Sequence, residues 1–539
     1  MNLPDDKKAP SKCQVLRASI AAALSALLLT AANPNLDCAP LAWVALVPWL
    51  LFLKAGADSS PSARLRLGIV SAIAFTAAYA AGLTYWIVVC ALPILGPART
   101  IAGFLLLILA EAVFYCAWAI GVQWLYSIPF RERRGVNPNS ALPFPGGERR
   151  WGRGVIALFG IPALWVLIVE WGRQLGPMGL TWGGMAYTQH GVLPILQMTK
   201  LTGTWGLAYL IVLVNVSIAD AIRRRRFTKT LASTAVVMVI VFFCGWGQMR
   251  SEALNPSLTA AILQGNIDPN VEHDRPYVEG VVRRFTGLTD QAAGLGATLT
   301  VWPEMAYPGY IPYNKGLRDI LTAEAARRKI NMVVGGPDYN WARRKNLNSL
   351  FLITDQGIVA GSYHKRRLVP FGEYVPAADL IPAFRALHVT KADMLTGAAV
   401  QTLMPAGPFG KIGSAICFES SFPELLREQT ARGANLLVVS TDDSWFDHTA
   451  ETRQHAAMSA VRAVENDRYV LRAATTGVSQ IIDPTGRVVS EGPIDDVAVI
   501  AGRVEHRSTR TLYVRWGNWF VDLCAVLLLA IVGIELRGK

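Results

Sequence analysis

Over the first 250 residues the hydrophobic positions of this chain do not alternate with polar ones; they run on. Long apolar stretches cover about 15–32, 38–53, 67–95, 101–127, 154–172, 204–222 and 229–247, and one more, 516–536, closes the sequence. A helix needs roughly 20 apolar residues to cross a bilayer's hydrocarbon, so these runs predict eight spans, of which 38–53 is short and broken by proline. After residue 251 the pattern changes. Short β-branched runs at 259–267, 298–305, 330–335, 349–354, 411–417, 436–441, 469–474, 478–482 and 497–504 alternate with amphipathic stretches at 277–294, 314–328, 422–432 and 451–466. Such alternation predicts a layered α/β domain. The chain therefore divides into a tail (1–14), a seven-span membrane domain (15–249), an α/β domain (250–510) and a last span (511–539). The long loops 307–314 and 377–399, rich in proline and aromatic or apolar residues, are expected to act as lids that touch lipid.

Composition agrees: at 539 residues, 52% apolar and a mean hydropathy of +0.31, the chain carries too much apolar surface for one solvated globule. The net charge of +13 comes from clusters in the short loops: Lys7, Lys8, Lys12 and Arg17; Lys54, Arg64 and Arg66; Arg131, Arg133, Arg134, Arg149, Arg150 and Arg153; Arg223–Arg226 with Lys229; and Arg537 with Lys539. With the N-terminus inside, every cluster falls on the cytoplasmic face. Topology thus accounts for the charge without nucleic acid, and puts the α/β domain outside the cytoplasm. The first span, with Thr30-Ala31-Ala32, has the look of a signal peptide, but the spans that follow favour a retained anchor. Glu111 and Glu170, costly inside apolar runs, are expected to be protonated or paired between helices, the functional alternative being a place near a lipid headgroup or a water-filled cavity. The Gly-rich loop 172–191, with Trp171 and Trp182, is expected at the interface with its aromatics among headgroups.

Of seven cysteines only Cys417 lies outside the apolar runs and the tail. One thiol in the α/β domain forms no internal disulfide, so Cys417 is a small buried hydrophobe, an intermolecular bridge or a nucleophile. Its neighbours favour the last. Glu304, in Trp302-Pro303-Glu304, and Lys365, in His364-Lys365-Arg366-Arg367, precede it at spacings of 61 and 52 residues. A carboxylate in apolar surroundings can take the thiol proton. A lysine beside it stabilises thiolate and developing oxyanion, and a strand-to-helix turn at Cys417 adds backbone N–H groups. His364 is read as a bystander.

The run Trp302-Pro303-Glu304, then Lys365 with Leu368-Val369-Pro370-Phe371-Gly372-Glu373-Tyr374-Val375-Pro376, then Cys417-Phe418-Glu419, resembles the nitrilase superfamily. With the flanking spans it resembles the apolipoprotein N-acyltransferases of Gram-negative inner membranes. Gln264-Gly265-Asn266-Ile267, Asp443-Ser444-Trp445-Phe446, Gln454-His455 and Tyr513-Val514-Arg515-Trp516-Gly517-Asn518-Trp519 match as well. The resemblance implies a polytopic membrane domain carrying a periplasmic αββα sandwich, with Glu304, Lys365 and Cys417 as catalytic triad. It makes Glu373 a second glutamate orienting Lys365 and Cys417, with Phe418 and Glu419 shaping the oxyanion and acyl site. His273, Tyr374 and Trp445 are its substrate-contact residues. Phe418 stands where a tyrosine is common and His273 where a tryptophan is. Asp442 and Asp447 replace an asparagine and a glycine.

The implied reaction moves an acyl chain from a phospholipid, through a Cys417 thioester, to the N-terminal amine of a diacylglyceryl-cysteine apolipoprotein. The partners implied are lipid bilayer, phospholipid donor and lipoprotein acceptor, with the chain a monomer. No metal or nucleotide cofactor is expected: the sequence holds no phosphate-binding glycine loop and its few histidines form no ligand cluster. The alternatives are a membrane-tethered nitrilase-type amidohydrolase with the same residues and a non-catalytic lipoprotein-binding scaffold.

Overall fold

The computed structural model describes residues 12–34, 36–57, 59–128, 148–176, 179–252, 254–267, 275–378, 380–388, 393–446 and 448–537. Its first half is helical: α1 (Lys12–Ala32), α2 (Val47–Gly56), α3 (Pro61–Leu83), α4 (Trp86–Ser127), α5 (Glu148–Leu164), α6 (Thr204–Arg224) and α7 (Lys229–Ser251). Among the described residues seven helical stretches are long and apolar enough to cross a membrane, and Trp519–Ile534 forms a shorter apolar one. The third and fourth spans divide differently from expectation. α3 stops at Leu83, and α4 runs 42 residues with a bend at Gly96 (φ 73°) between Pro93 and Pro97. Only glycine enters that backbone region without cost, and Pro97 brings no N–H. Apolar residues lie on both sides of either break, so hydropathy carries no sign of where it falls.

The expected pairing between helices is found for Glu111, while Glu170 is satisfied by hydrogen bonds. Glu111 meets Arg173 at 2.5 Å. Glu170, in a π-helical turn at Trp165–Trp171, accepts from Trp165 Nε1 at 3.0 Å and from the Met185 N–H at 2.9 Å.

Among the described residues the second half holds twelve strands: β1 (Leu258–Gln264), β2 (Leu299–Val301), β3 (Asn331–Asn340), β4 (Lys345–Ile353), β5 (Val359–His364), β6 (Met404–Pro405), β7 (Lys411–Ile416), β8 (Leu436–Thr441), β9 (Val470–Ala474), β10 (Gln480–Ile482), β11 (Val488–Glu491) and β12 (Ala498–Val504). They form two six-stranded sheets, ordered β12-β1-β2-β3-β4-β5 and β11-β10-β9-β8-β7-β6. Three neighbouring strands at the heart of each are parallel: β1, β2 and β3, and β7, β8 and β9. Parallel neighbours need crossovers, and helices α8 (Arg275–Gly294), α9 (Lys315–Arg328), α10 (Pro423–Ala431) and α11 (Glu451–Asn466) supply them.

Alternation along each strand sorts the side chains into layers. Ile262, Val301 and Val333 of the first sheet meet Ile412, Val438 and Leu471 of the second in a core between the sheets. Leu263, Met332 and Val334 face Phe285 and Leu321 of α8 and α9; Ala415, Leu437 and Val439 face Leu426 and Ala463 of α10 and α11. The domain is an αββα sandwich.

Its outer helical layer on the α10/α11 side does not face water. Phe418, Phe422, Leu425, Met458, Val461 and Val464 share one buried cluster with Trp182, Met185, Tyr187 and Leu207 of the membrane half. Burying such side chains stabilises by about 1.5–3 kcal/mol each, enough to fix the two halves together. Trp182 was expected among lipid headgroups. It is instead 3% exposed and packed in this junction, because its indole N–H finds a buried acceptor there, Gln454, at 2.7 Å. The 307–314 loop is likewise only partly a lid: Tyr307 and Ile311 are buried in the domain core, while Tyr310 and Tyr313 are exposed. In the other loop Leu380 stands 84% exposed, and the turn Pro382–Leu387 packs against α4. The chain closes with α12 (Trp519–Arg537).

Candidate active site

Glu304 is delivered by a tight exit from β2. Trp302 extends the strand, donating its N–H to Val333 O at 2.8 Å and stacking on Phe285 at 4.7 Å. Strand β3 then passes so close that a Cβ on Gly335 would lie 2.0 Å from Pro303 O, so only glycine fits there. The chain turns at Met305 (φ 52°), leaving Glu304 buried.

Lys365 directly follows β5, its backbone N–H bonded to Asn348 O at 2.8 Å. Its ammonium, 1% exposed, lies 3.2 Å from Glu304 Oε1 and 2.9 Å from Glu373 Oε1. Burial pulls the lysine pKa down, but the charges of Glu304 and Glu373 outweigh it and the net shift is well upward. Lys365 is thus a fixed cation. Asn348, on β4, donates Nδ2 to Glu304 Oε1 at 2.6 Å and to Glu373 Oε1 at 3.2 Å. The remaining carboxylate oxygens take backbone donors, Asp442 N–H on Glu304 (2.8 Å) and Val369 N–H on Glu373 (2.8 Å).

Cys417 begins the turn Cys417–Ser421 after β7 and adopts φ 51°, left-handed for a non-glycine residue. Burial pushes its thiol pKa well above the ordinary value. Glu304 adds to this, while Lys365 and a hydrogen bond with Thr441 act against it. The resting group is therefore a neutral thiol beside a carboxylate and an ammonium.

The structure brings Glu304, Lys365, Glu373 and Cys417 together and turns Glu419 away from that group. Fully buried, Glu419 accepts from the Tyr363 hydroxyl (3.1 and 3.0 Å) and from the N–H groups of Ile416 (2.8 Å), Arg366 (2.6 Å) and Arg367 (3.0 Å). It clamps the lysine loop to the end of β7. Phe418 packs edge-on to Phe422 at 5.1 Å in the junction with the membrane half. Tyr374 holds the Phe371 N–H through its carbonyl at 2.6 Å. Trp445 stands 38% exposed on the turn Asp443–Phe446, and His273 and Asp447 lie outside the described residues. His364 faces Ser349 (2.8 Å) and Asp338 (3.8 Å) rather than the lysine's partners.

Asn348, Tyr363, Asp443 and His455 were not singled out from the sequence as site residues. Asn348 carried little signal: it stands among Asn346, Leu347 and Ser349, ahead of the apolar run Leu350-Phe351-Leu352-Ile353 of β4. Asp443, Glu451 and His455 form a buried group whose ligand atoms lie within 4.8 Å of one another. Arg472 already supplies a cation 2.7 Å from Asp443, and His455 Nε2 is turned to Cys417 O at 3.0 Å. That donor set fits a hydrogen-bonded network better than a metal.

A buried carboxylate, a fixed ammonium and a cysteine on a sharp turn, carried by an αββα sandwich, point to the carbon–nitrogen hydrolase class, and the family model described as "Carbon-nitrogen hydrolase" matches residues 259–511. A second, "Apolipoprotein N-acyltransferase N-terminal domain", matches residues 25–217. Proteins named apolipoprotein N-acyltransferase from Geobacter metallireducens and Gloeobacter violaceus are each 32% identical to this chain. The first alignment covers 100% of this chain and 98% of the relative, the second 95% and 94%. The chain belongs to the apolipoprotein N-acyltransferase family. Among solved structures it is similar to Saccharomyces cerevisiae Nit3, of the nitrilase superfamily, at 19% identity and a TM-score of 0.38, over 47% of this chain and 92% of that one.

Proposed function

We propose that Glu304, Lys365 and Cys417 carry out a two-step acyl transfer from a phospholipid to the N-terminal amine of a diacylglyceryl-cysteine lipoprotein. Cys417 Sγ attacks the ester carbonyl while its proton passes to Glu304, forming the C–S bond. Lys365 Nζ and backbone N–H groups of the nucleophile turn hold the oxyanion. As the ester C–O bond breaks, Glu304 returns the proton to the departing lysophospholipid hydroxyl. The lipoprotein's amine then attacks the thioester and gives a proton to Glu304. The C–S bond breaks, and the thiol recovers that proton as the amide forms. Energy for the amide comes from the ester, so no nucleotide is required.

Lys365 between Glu304 and Glu373 (3.2 and 2.9 Å) is the observation that carries this reading: one buried cation serves the base and the oxyanion together. Glu373 orients the lysine, Phe418 supports the nucleophile turn from the junction with the membrane half, and Tyr374, Trp445 and His273 are the residues we assign to substrate contact. We place the chain in the inner membrane of a Gram-negative bacterium. Two observations support this: seven stretches able to span precede the α/β domain, and with the N-terminus inside the basic clusters of the sequence fall in cytoplasmic loops, the α/β domain then lying in the periplasm. The protein acts as a monomer.

Intact mass of the purified protein with phospholipid, wild type beside Cys417→Ala, tests the first step. One acyl chain gained, labile to hydroxylamine, absent in the variant and discharged by a diacylglyceryl peptide, is expected. Discharge by water as fast as by the peptide would instead favour a membrane-tethered amidohydrolase.

A further inference from the structure

Behind the nucleophile turn stands a residue that the two chemical steps do not use. His455, on α11, is fully buried. Its Nε2 lies 3.0 Å from the carbonyl oxygen of Cys417 and 2.8 Å from Ser420 Oγ. Nδ1 faces Asp443 Oδ1 at 3.4 Å and Glu451 Oε1 at 3.5 Å. The indole of Trp182, from the membrane half, lies against the ring with centroids 5.4 Å apart.

The preceding residue secures the same contact from the other side. Gln454 accepts from Trp182 Nε1 (2.7 Å) and Trp86 Nε1 (3.3 Å), and donates to the carbonyls of Pro34 (3.0 Å) and Leu83 (3.2 Å). One dipeptide of the catalytic domain therefore joins several segments of the membrane half to the backbone of the reacting cysteine.

The hydrogen bonds fix the ring's role. A carbonyl oxygen can only accept, so Nε2 carries the hydrogen and is committed to Cys417 O and Ser420. His455 is not placed to take the thiol proton. Asp443 is matched by Arg472 at 2.7 Å and by the Thr441 hydroxyl at 2.7 Å. Burial raises Glu451 well above the carboxylate range, Asp443 adding to it, and burial lowers His455. With its hydrogen on Nε2, the ring leaves Nδ1 toward Asp443 Oδ1 at 3.4 Å, and Glu451 Oε1 lies 3.5 Å away.

We propose that His455 is a positioning residue, holding the Cys417 carbonyl so that the left-handed nucleophile turn keeps its thiol aimed at Glu304 and Lys365, and that Trp182 holds His455 in place, so that the membrane half sets the reactivity of the thiol. A non-glycine residue at φ 51° persists only where its surroundings over-determine it. Freed of the hydrogen bond, the turn relaxes and the sulfur leaves the attack position. Misplacement of about an ångström is worth roughly a hundredfold in rate.

This inference rests on Cys417 being the nucleophile. The test is full-length protein in phospholipid-containing detergent, followed by single-turnover thioester formation, by KM and kcat for transfer, and by the pH profile of thiol alkylation. His455→Leu keeps the volume and removes the donor; His455→Gln keeps a donor near the Nε2 position; Trp182→Leu changes only the membrane half. Thioester formation is expected to slow about tenfold to a hundredfold in His455→Leu and in Trp182→Leu, the loss lying in kcat. His455→Gln is expected to recover most of it, and the alkylation profile of the leucine variants to move away from wild type. Wild-type rates in both leucine variants would overturn the proposal, as would a glutamine variant no better than leucine or a loss confined to KM. If His455→Leu does not fold, Trp182→Leu decides by the same readouts. A wild-type protein that forms no Cys417-dependent adduct would instead sink the acyl-transfer reading itself.

Discussion

The side-chain amide of Asn348 donates to Glu304 Oε1 across 2.6 Å. Asn348 also reaches Glu373 Oε1, at 3.2 Å, so one neutral donor sits between two carboxylates that share the Lys365 ammonium. That arrangement lets two acidic groups lie against one lysine without a second cation.

Replacing that donor with a third carboxylate should be worse than deleting it. Asn348→Asp puts like charge against Glu304 and Glu373, which drives carboxyl protonation and disables the base. Thioester formation is expected to fall about a hundredfold, and about tenfold for Asn348→Ala, where the hydrogen bonds to Glu304 and Glu373 are lost. Single-turnover acylation followed by mass reads both; an aspartate variant faster than the alanine variant would contradict the role.

Removing Glu304, the proposed base, should change the shape of the pH profile as well as its height. The Cys417 thiol is held well above its ordinary pKa by burial and by Glu304, so solvent alone deprotonates little of it at neutral pH. In Glu304→Gln the rate is expected to drop by about 10²–10⁴ and then rise about tenfold per pH unit through pH 7–9. Wild type should be much flatter over that range. Parallel profiles for the two proteins would show that Glu304 does not take the thiol proton.

Asp442 offers a test that separates stability from chemistry. Its backbone N–H serves Glu304, while its side chain turns to Ser444 at 2.6 Å. Burial pushes its pKa up to about 6. Raised above the ordinary 3.8, this carboxyl disfavours folding once charged, so stability falls as pH rises from about 4 to about 6 and stays lower above. Asp442→Asn is expected to gain about 1–3 kcal/mol at pH 7.5 and little at pH 4, with acylation nearly unchanged. Thermal unfolding at the two pH values checks it; an equal gain at both would remove the titration argument.

Much of this was legible because strong local patterns coincide with buried elements. The strand Leu436–Thr441 and the helix Glu451–Asn466 fall where the residue pattern put them, buried throughout except at Arg453. The edge strands β5, β6 and β11 were not anticipated. β6 is two residues long, and Val488–Glu491 is largely exposed, so neither carries an alternating apolar signal. β5, which delivers Lys365, reads Val-Ala-Gly-Ser-Tyr-His, with few large apolar residues to betray it. The inward turn of Glu419 and the hold of His455 on Cys417 join residues 38 to 53 positions apart. No local pattern encodes such a pairing; the sandwich topology makes it.

Glu419 itself gives the last prediction, because its neighbours rank two substitutions in order. Its oxygens accept from three backbone N–H groups and the Tyr363 hydroxyl. Glutamine keeps the shape but turns an NH2 toward one set of those donors, leaving buried N–H groups unpaired at about 1–3 kcal/mol each. Tyr363→Phe removes a single donor from a carboxylate that keeps three others, for about 1 kcal/mol. Glu419→Gln should therefore lose more thermal stability than Tyr363→Phe. It should also lose activity, because Arg366 and Arg367 no longer hold the adjoining Lys365 in place, whereas Tyr363→Phe should acylate within a few-fold of wild type. The reverse order in either unfolding temperature or thioester rate would mean that Glu419 meets substrate directly and is not the clamp between the lysine loop and the nucleophile strand.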